Sequence, residues 1–392
     1  MTVFYVGIML TYKNEWNELG EQSALAETVQ TSISVIIPAR NEAKNIATLL
    51  KDISQQNYPT SLLEVIVVDD FSEDATYTIC ENLAKDFPVS LSVYKLQDIL
   101  ATDATNVYKK RAIEAAVLKA KGTLIVTTDA DCSVQTNWLR SIATYYEQTH
   151  AKLIAAPVCF QNDNSYFEKF QTLDFCGMQA ITGASLNMEM FNMANGANLA
   201  YEKQAFLAVE GYRNIDQKAS GDDMLLVYKI AQKFAANVHF LKNKAAIVFT
   251  EPQRTLSDFL QQRYRWTSKS RSYQDKRITL ILGLVYLFVL SIWVNGLYFL
   301  CKSVYSILFP QHTLVALIQF LPVFFSLGMF LFQLLCKCII DYIFLKSAAH
   351  FFKRDDLMHT FFISELYHIW YIPFVGTFGN IFQYNWKGRK LS

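Results

Sequence analysis

Charged residues are scarce in this sequence, at 18% of 392 residues, whereas hydrophobic residues make up 52%. Such an apolar composition excludes an intrinsically disordered chain. Neither sign of charge is in excess, because 36 lysines and arginines face 35 aspartates and glutamates. This near-zero balance gives no indication of a nucleic-acid partner, and none is expected. The length is typical of about two or three domains.

Cysteine and histidine are also few. The seven cysteines are scattered without a Cys-x-x-Cys pair, and their odd number argues against a disulfide framework or a zinc ribbon. The six histidines are too dispersed for a histidine-built metal site. Free thiols are typical of a reducing compartment, so we expect the soluble part of the protein to lie in the cytoplasm.

The long uncharged runs lie in the C-terminal part of the chain. Ile278–Cys301 has 24 residues without a charge, which is enough for a helix to cross the roughly 30 Å hydrocarbon core of a bilayer. Leu314–Cys336 is a second such run. A third run, Thr360–Tyr384, contains Glu365 and His368, and the sequence leaves open whether it spans, re-enters or lies at the interface.

Basic residues around these runs predict an orientation in the membrane. The basic residues before the first run are Arg271, Lys276 and Arg277. Those after the second run are Lys337, Lys346, Lys353 and Arg354, and between the two runs lies only Lys302. The positive-inside rule therefore predicts an integral protein of the inner membrane whose soluble part faces the cytoplasm.

The N-terminal apolar run, Thr2–Leu10, is too short to span a bilayer. It lacks a basic region before it and a cleavage site after it, so we do not expect a secretory signal. The alternatives are a truncated anchor or an apolar foot at the membrane interface.

Short apolar runs alternate with helical periodicity between residues 32 and 158. The predicted strands are Ser34–Pro38, Glu64–Asp70, Val89–Leu96, Gly122–Asp131 and Ala151–Val158. The predicted helices are Asn41–Gln55, Ser72–Asp86 and Asn106–Lys121. This alternation predicts an α/β fold with a mostly parallel sheet and flanking helices. In such sheets ligands bind beyond the carboxyl ends of the strands.

Chemically active side chains follow two of these strands. Asp129 and Asp131 are two residues apart in extended chain and point the same way, which suits a divalent cation that also holds phosphates. Solvated acids at a turn are the alternative. Asp70 could accept hydrogen bonds from a nucleoside, or belong to the cap of the next helix. Lys109 could face a diphosphate, or lie on a solvated helix face.

Two further motifs follow later in the chain. Asp222 and Asp223 precede a helical stretch, where the helix dipole favours an acid and where a general base could also lie. The segment Gln262–Trp266 (QRYRW) belongs to an amphipathic stretch, Thr255–Gln274, just before the first uncharged run. Such a stretch is expected at the membrane surface, although its Arg and Trp side chains could instead line a site.

The order of these motifs is more specific than any one of them. The chain contains IIPARNE, VVDD, Lys109, DAD, GDD and QRYRW in that order, followed by the uncharged runs. This order resembles the inverting glycosyltransferases of family 2, whose pattern is shared with cellulose, chitin and hyaluronan synthases and ceramide glucosyltransferases. The resemblance covers about residues 32–270. It implies the nucleotide-sugar-binding GT-A fold, followed here by a C-terminal helical membrane region.

The resemblance also implies a role for each matching residue. The residues expected to bind the nucleotide-sugar are Pro38, Ala39, Glu42, Asp70, Lys109 and Asp129. Asp131 would bind a metal ion, Mg²⁺ or Mn²⁺. Asp223 would be the catalytic base, with Asp222 as the alternative because the family usually has Glu at that position. The residues expected near the diphosphate and the acceptor are Gln262, Arg265 and Trp266.

Four parts of the chain are expected from these patterns. They are an N-terminal apolar foot and linker (1–31), a GT-A glycosyltransferase domain (32–254), an amphipathic interfacial helix with the QRYRW motif (255–277), and a membrane region with two or three transmembrane helices (278–392).

The resemblance implies metal-dependent transfer of a sugar from a nucleotide-sugar, with UDP as the family's commonest carrier. Two or three spans are few for a wide polysaccharide channel, which needs a polar lining shielded from lipid. We therefore expect a lipid or lipid-linked acceptor. A processive polysaccharide synthase of the cellulose or hyaluronan synthase type is one alternative. A non-catalytic membrane scaffold on the same fold is another.

Overall fold

The computed structural model describes residues 1–99, 108–191, 193–215, 221–269, 275–309, 314–379, 384–386 and 389–391. The strands are β1 Ile33–Ala39, β2 Leu63–Asp69, β3 Ser90–Lys95, β4 Leu124–Thr127, β5 Ser133–Val134, β6 Leu153–Ala155, β7 Val158–Phe160, β8 Leu199–Glu202, β9 Val238–Phe240, β10 Val248–Thr250, β11 Tyr384–Trp386 and β12 Arg389–Leu391. The helices are α1 Thr2–Glu18, α2 Ile46–Ser54, α3 Thr76–Ala84, α4 Leu96–Ile99, α5 Tyr108–Lys119, α6 Trp138–Thr149, α7 Tyr166–Asn187, α8 Lys203–Ala208, α9 Asp222–Phe234, α10 Leu256–Ser268, α11 Lys276–Leu308, α12 Leu314–Phe351 and α13 Phe361–Phe378.

The main sheet has the strand order β3-β2-β1-β4-β8-β6-β9. Neighbouring strands are parallel except at β8, which is antiparallel to both β4 and β6. The central strands are rich in Val and Ile and almost fully buried, as expected for a sheet covered by helices on both faces. β1 and β2 pair from Ile33 opposite Leu63 to Ala39 opposite Asp69, so their carboxyl ends lie at one edge. The predicted α/β fold with a mostly parallel sheet is confirmed.

The predicted strand Ala151–Val158 is divided between two sheets. β6 ends at Ala155 in the main sheet, and β7 begins at Val158 in a smaller sheet of order β5-β10-β7. Pro157 lies between them. Proline has no N–H to donate to a strand partner, which explains why one continuous pairing cannot pass through this position.

Two helices begin later than their periodicity predicted. α2 starts at Ile46 rather than Asn41, and α3 starts at Thr76 rather than Ser72. Asn41 and Phe71 have positive φ angles of 53° and 54°. These left-handed residues turn the chain just beyond β1 and β2, so the loops at the carboxyl edge are longer than expected.

The N-terminal segment is a 17-residue helix, α1, and not only a short apolar run. Its buried side includes Tyr5 and Trp16, and the Tyr5 ring stacks on Phe288 of α11 with centroids 4.3 Å apart. Val3 is 83% exposed on the opposite side. The helix therefore packs along its length against the C-terminal helices.

Among the described residues, two helical segments are long and apolar enough to cross a membrane, Lys276–Leu308 and Leu321–Phe351. They correspond to the first two predicted runs. The third run contains α13, of 18 residues, which exposes Phe362 and Leu366 but buries Glu365. Whether α13 spans or re-enters stays a prediction.

The amphipathic stretch before α11 is helical as far as Ser268, and residues 270–274 are outside the described part. Thr255 caps α10, since its side chain accepts a hydrogen bond from the Asp258 amide. Phe259 of α10 lies edge-on to Tyr371 of α13, with centroids 5.5 Å apart. The apolar side of α10 is therefore covered by the protein itself.

Candidate active site

A cavity of about 1040 Å³ lies between the carboxyl edge of the main sheet and helices α10, α11 and α13. Seven of the residues singled out from the sequence line it: Lys109, Asp129, Asp131, Asp223, Gln262, Arg265 and Trp266. These residues come from four separate segments of the chain. The sheet edge and α10 bring them to one space.

The Asp-x-Asp pair enters the cavity from the turn after β4. The Cys132 amide donates to the Asp129 carbonyl at 3.1 Å, while Ala130 and Cys132 are buried. The turn places both carboxylates on the cavity side. Lys109 Nζ lies 2.7 Å from Asp129 Oδ1. Burial, together with the carboxylates of Asp131 and Asp129, raises the pKa of the Cys132 thiol well above its ordinary value, which disfavours the thiolate form.

Asp223 is held in the first turn of α9. Gly221, with a φ of 82°, ends the preceding loop and lets the helix begin at Asp222. The Asp223 carboxylate accepts the amide of Gly196 on Oδ2 at 3.2 Å and that of Met224 on Oδ1 at 2.7 Å. It lines the cavity with a fixed orientation. The side chain of Asp222 lies outside the described residues.

Lys269 was not singled out from the sequence. Its Nζ donates to Asp223 Oδ1 at 3.3 Å, and it lines the same cavity. The sequence spacing could have indicated Lys269, because it follows Arg265 by four residues and therefore lies on the same side of a helix. Its carboxylate partner lies 46 positions away in sequence, and only the fold reveals that pairing.

Trp266 is fixed between two other side chains. The guanidinium of Arg263 lies 4.4 Å from the centre of the indole, and the Phe175 ring stacks at 5.9 Å with an angle of 27°. Arg263 in turn pairs with Asp174 of α7 at 2.8 Å. Burial raises the pKa of Asp174, although Arg263 and the hydroxyl of Tyr371 act in the opposite direction. The indole therefore forms a rigid wall of the cavity.

Gln262 presents a polar atom that the described residues leave unsatisfied. Its Oε1 is buried and has no hydrogen-bond partner among them. A buried acceptor without a donor costs free energy, so such an atom in a cavity is suited to a ligand hydroxyl or amide.

Four predicted donor-binding residues lie at the same sheet edge but are not among the residues that line this cavity: Pro38, Ala39, Glu42 and Asp70. The amide of Asp70 donates to the carbonyl of Ala39 at 2.7 Å, which joins the ends of β1 and β2. Arg40, which the sequence analysis passed over, donates to the carbonyls of Asp70 and Phe71 at 2.9 and 2.7 Å. Asp70 and Asp223 are thus not brought into one described cavity.

Two protein-family models match the chain. The model of glycosyl transferase family 2 matches residues 34–202. The model of glycosyl transferase family group 2 matches residues 124–337, which is more than half of the chain. The matched regions contain the Asp-x-Asp pair, Asp223 and the QRYRW motif.

Similar proteins are found among curated sequences and solved structures. Glycosyltransferase AglE of Haloferax volcanii is 26% identical over 233 residues, or 59% of this chain and 71% of AglE. Beta-monoglucosyldiacylglycerol synthase of Nostoc sp. is 28% identical over 116 residues, which are 30% of this chain and only 24% of the synthase. Mannosyltransferase PcManGT from Pyrobaculum calidifontis, in complex with GDP-Man and Mn²⁺, has a TM-score of 0.54 at 16% identity, covering 93% of this chain and 96% of that chain.

The likeness to PcManGT shows the shared GT-A fold. Together with the family matches and the order of the motifs, it leads to one conclusion: this chain belongs to glycosyltransferase family 2 and is a glycosyltransferase that uses a nucleotide-sugar donor.

Proposed function

We propose that this protein is an inverting, membrane-bound glycosyltransferase that moves a sugar, with UDP as the expected carrier, to a lipid or lipid-linked acceptor. The observation that carries the proposal is the single cavity shared by Asp131, Asp223 and Trp266. A metal-binding acid, a base and an aromatic wall around one space are the groups that this reaction needs.

The donor would lie along the carboxyl edge of the sheet. Its nucleoside would contact the ends of β1 and β2, through Pro38, Ala39, Glu42 and Asp70. Its sugar and diphosphate would continue past Lys109 and Asp129 into the cavity, towards Arg265. The ammonium and guanidinium groups there suit the charge of a diphosphate.

A divalent ion fits the residues present. Asp131 and Asp129 offer carboxylate oxygens, the ligands that Mg²⁺ and Mn²⁺ prefer. Two carboxylates suffice where phosphate oxygens of the substrate complete the coordination. PcManGT was solved with Mn²⁺. When bound, the ion would offset the negative charge that develops on the leaving diphosphate.

Asp223 would act as the base. It takes the proton of the acceptor hydroxyl, whose oxygen attacks the anomeric carbon on the face opposite the diphosphate. The new C–O bond forms as the bond to the diphosphate oxygen breaks, so the configuration inverts and the nucleoside diphosphate leaves. The amides of Gly196 and Met224 hold the carboxylate in one orientation for this step. Gln262 and Trp266 would orient the sugar.

Two features support a lipid acceptor and an inner-membrane position. The cavity adjoins the first of two helices long enough to cross a bilayer. Beta-monoglucosyldiacylglycerol synthase, a relative over part of this chain, is named for a lipid product. The basic residues at the ends of α11 and α12 favour a cytoplasmic position for the catalytic domain.

The direct test is Asp223→Asn in the full chain, purified in detergent and supplied with nucleotide-sugars and a membrane-lipid extract. Removal of the base should lower the transfer rate by about 10²–10⁴-fold while nucleotide binding is retained. Asp86→Asn, at an exposed position, is the matched control. Near-normal transfer by Asp223→Asn would contradict the assignment, and a ladder of long glycans from the wild type would instead favour a processive synthase.

A further inference from the structure

The cavity has two ends of different chemistry. One end presents the charged groups of Asp131, Asp223 and Lys269, and the other is lined by apolar parts of α11 and α13. Its volume of about 1040 Å³ is at the upper limit of pockets for a single small ligand, which extend to about 1,000 Å³. The space is therefore larger than a pocket for one sugar, and it continues between two helices. We call this apolar end the slot; its residues are Leu282, Gly283, Tyr286, Ile372, Val375 and Gly376.

The floor of the slot is closed by a tight contact between α11 and α13. The Tyr286 ring lies so close to Gly376 that an added Cβ there would be 2.6 Å from a ring carbon. The Tyr286 hydroxyl also hydrogen-bonds the Thr377 hydroxyl at 2.8 Å. Deeper along the pair, Trp293 Nε1 donates to the carbonyl of Ile369 at 2.9 Å. The two helices are thus joined at Tyr286 and again at Trp293.

Above that floor the slot is open. Gly283 lies almost one turn before Tyr286 on α11, and a Cβ added to it would meet no atom of the described residues within 4 Å. Leu282 beside it is 47% exposed on the outer surface of α11. Because α11 is long and apolar enough to cross a bilayer, an opening at this point would face lipid when the helix lies in the membrane.

We propose that the slot holds the first hydrocarbon segment of a hydroxyl-bearing lipid acceptor, which enters sideways from the bilayer between α11 and α13. The inference rests on the proposed function. The continuity of the slot with the charged end places the polar head of such a lipid beside Asp223. A carboxylate base is useful for a hydroxyl and not for a phosphate monoester, which is already ionised, so the acceptor is an alcohol.

The test places a larger side chain in the slot and leaves Asp131 and Asp223 unchanged. Gly283→Leu is compared with Gly328→Leu, a control on α12 whose added Cβ also lies more than 4 Å from the rest of the described chain but which does not line the cavity. The acceptors are dioleoylglycerol in phosphatidylcholine vesicles and glycerol, which has hydroxyls but no acyl chain. In Gly283→Leu the KM for dioleoylglycerol, relative to the KM for glycerol, should rise about tenfold, the change expected from the lost contacts of roughly two methylene groups. An unchanged ratio in Gly283→Leu, or an equal rise in Gly328→Leu, would overturn the proposal.

A second measurement does not depend on turnover. A diacylglycerol with a diazirine in the upper part of one acyl chain is photolysed in vesicles with the full-length protein, and the labelled peptides are identified by mass spectrometry. We expect labelling concentrated on residues 279–286 and 371–376, lowered by Gly283→Leu and not by Gly328→Leu. Even labelling over all exposed faces of α11 and α12 would refute the slot.

The two experiments separate this inference from the proposed function. If Asp223→Asn transfers sugar normally while the label still marks the slot, the catalytic assignment is wrong and the lipid site stands. If Asp223→Asn is inactive but the label avoids the slot, the transferase assignment stands and the lipid reaches the base by another route.

Discussion

The ion pair of Lys109 and Asp129 in the cavity is much more exposed than the charged groups between the helices beside it. In the cavity, the side chains of Lys109 and Asp129 are 22% and 36% exposed. Between the helices, Lys337 of α12 is fully buried. Groups of the first kind can exchange partners when a ligand arrives, whereas a buried pair must stay paired to avoid the cost of an isolated charge. The comparison separates charges that a ligand can reach from charges that fix the packing of helices.

The buried group centres on the ammonium of Lys337. It donates to Asp341 Oδ2 at 2.5 Å and to Glu365 of α13, and Asp341 also accepts the hydroxyl of Tyr5 of α1 at 2.7 Å. Three helices therefore meet at one cation. Asp341, Glu365 and His368 are close enough to hold a metal, but the Lys337 ammonium already supplies positive charge among them.

The largest effect is expected from Lys337→Met. It would leave two buried carboxylates without their cation, at a cost of about 3–5 kcal/mol in the free energy of unfolding. Thermal unfolding in detergent measures it, and Lys346→Met, at an exposed position on the same helix, should change stability by less than about 0.5 kcal/mol. Equal stability of the two variants would show that the buried Lys337 ammonium does not stabilise the packing of the helices.

Asp174→Asn should have the next largest effect. The amide keeps the size of the carboxylate but leaves Arg263 without its counter-charge, at a cost of about 1.5–3 kcal/mol. Because Arg263 lies on the indole of Trp266, we also expect a lower transfer rate. Unfolding and kcat are measured side by side with exposed Asp98→Asn. Normal stability and rate would show that the pair does not position Trp266.

A smaller effect on stability is expected at the first turn of α7, which faces solvent. Ser165 and Glu168 form a reciprocal cap, and Ser165→Ala should cost about 1 kcal/mol. The hydrogen bond from the Ser165 amide lowers the pKa of Glu168 below its ordinary value of 4.5. The contribution of the Glu168 carboxylate to the free energy of unfolding is therefore present above about pH 4.5 and is lost as the pH falls through the lowered pKa. The stability difference between wild type and Glu168→Gln, from unfolding at pH 7 and pH 3, should shrink in acid; a constant difference would exclude this cap from the pH dependence.

The smallest effect on stability is expected in the cavity. Lys269→Met removes a partly exposed partner of Asp223 and should cost no more than about 1 kcal/mol. The transfer rate should nevertheless fall, because Asp223 loses one of the groups that orient it. Unfolding and initial rates are the measurements. A large loss of stability would place Lys269 with the buried charges, and an unchanged rate would remove it from the site.

Much of the site could be anticipated from local sequence. Asp129 and Asp131 follow a buried strand, Asp223 opens a helix, and Arg265 and Trp266 share one helix, so periodicity and strand ends were enough to select them. Asp174 and Lys337 were not selected as site or packing residues. The acid in the middle of α7 carries no local pattern, since its partner Arg263 lies 89 positions away. Lys337 has a local partner in Asp341, four residues on, but its second partner, Glu365, lies 28 positions away, and no sequence pattern indicated that the pair is buried.

The sequence by itself determined the order of strands and helices, the acids at the strand ends and the two long apolar helices, because each depends on neighbouring residues and their spacing. Tertiary structure alone decided the antiparallel insertion of β8, the packing of α1 against α12, and which arginine of the QRYRW segment is buried. Arg263 is 3% exposed and pairs with Asp174, whereas Arg265 is partly exposed, although both line the cavity and lie on one helix. That difference depends on which elements cover each side of α10, and contacts between distant segments set the burial that separates a structural charge from one that a ligand can reach.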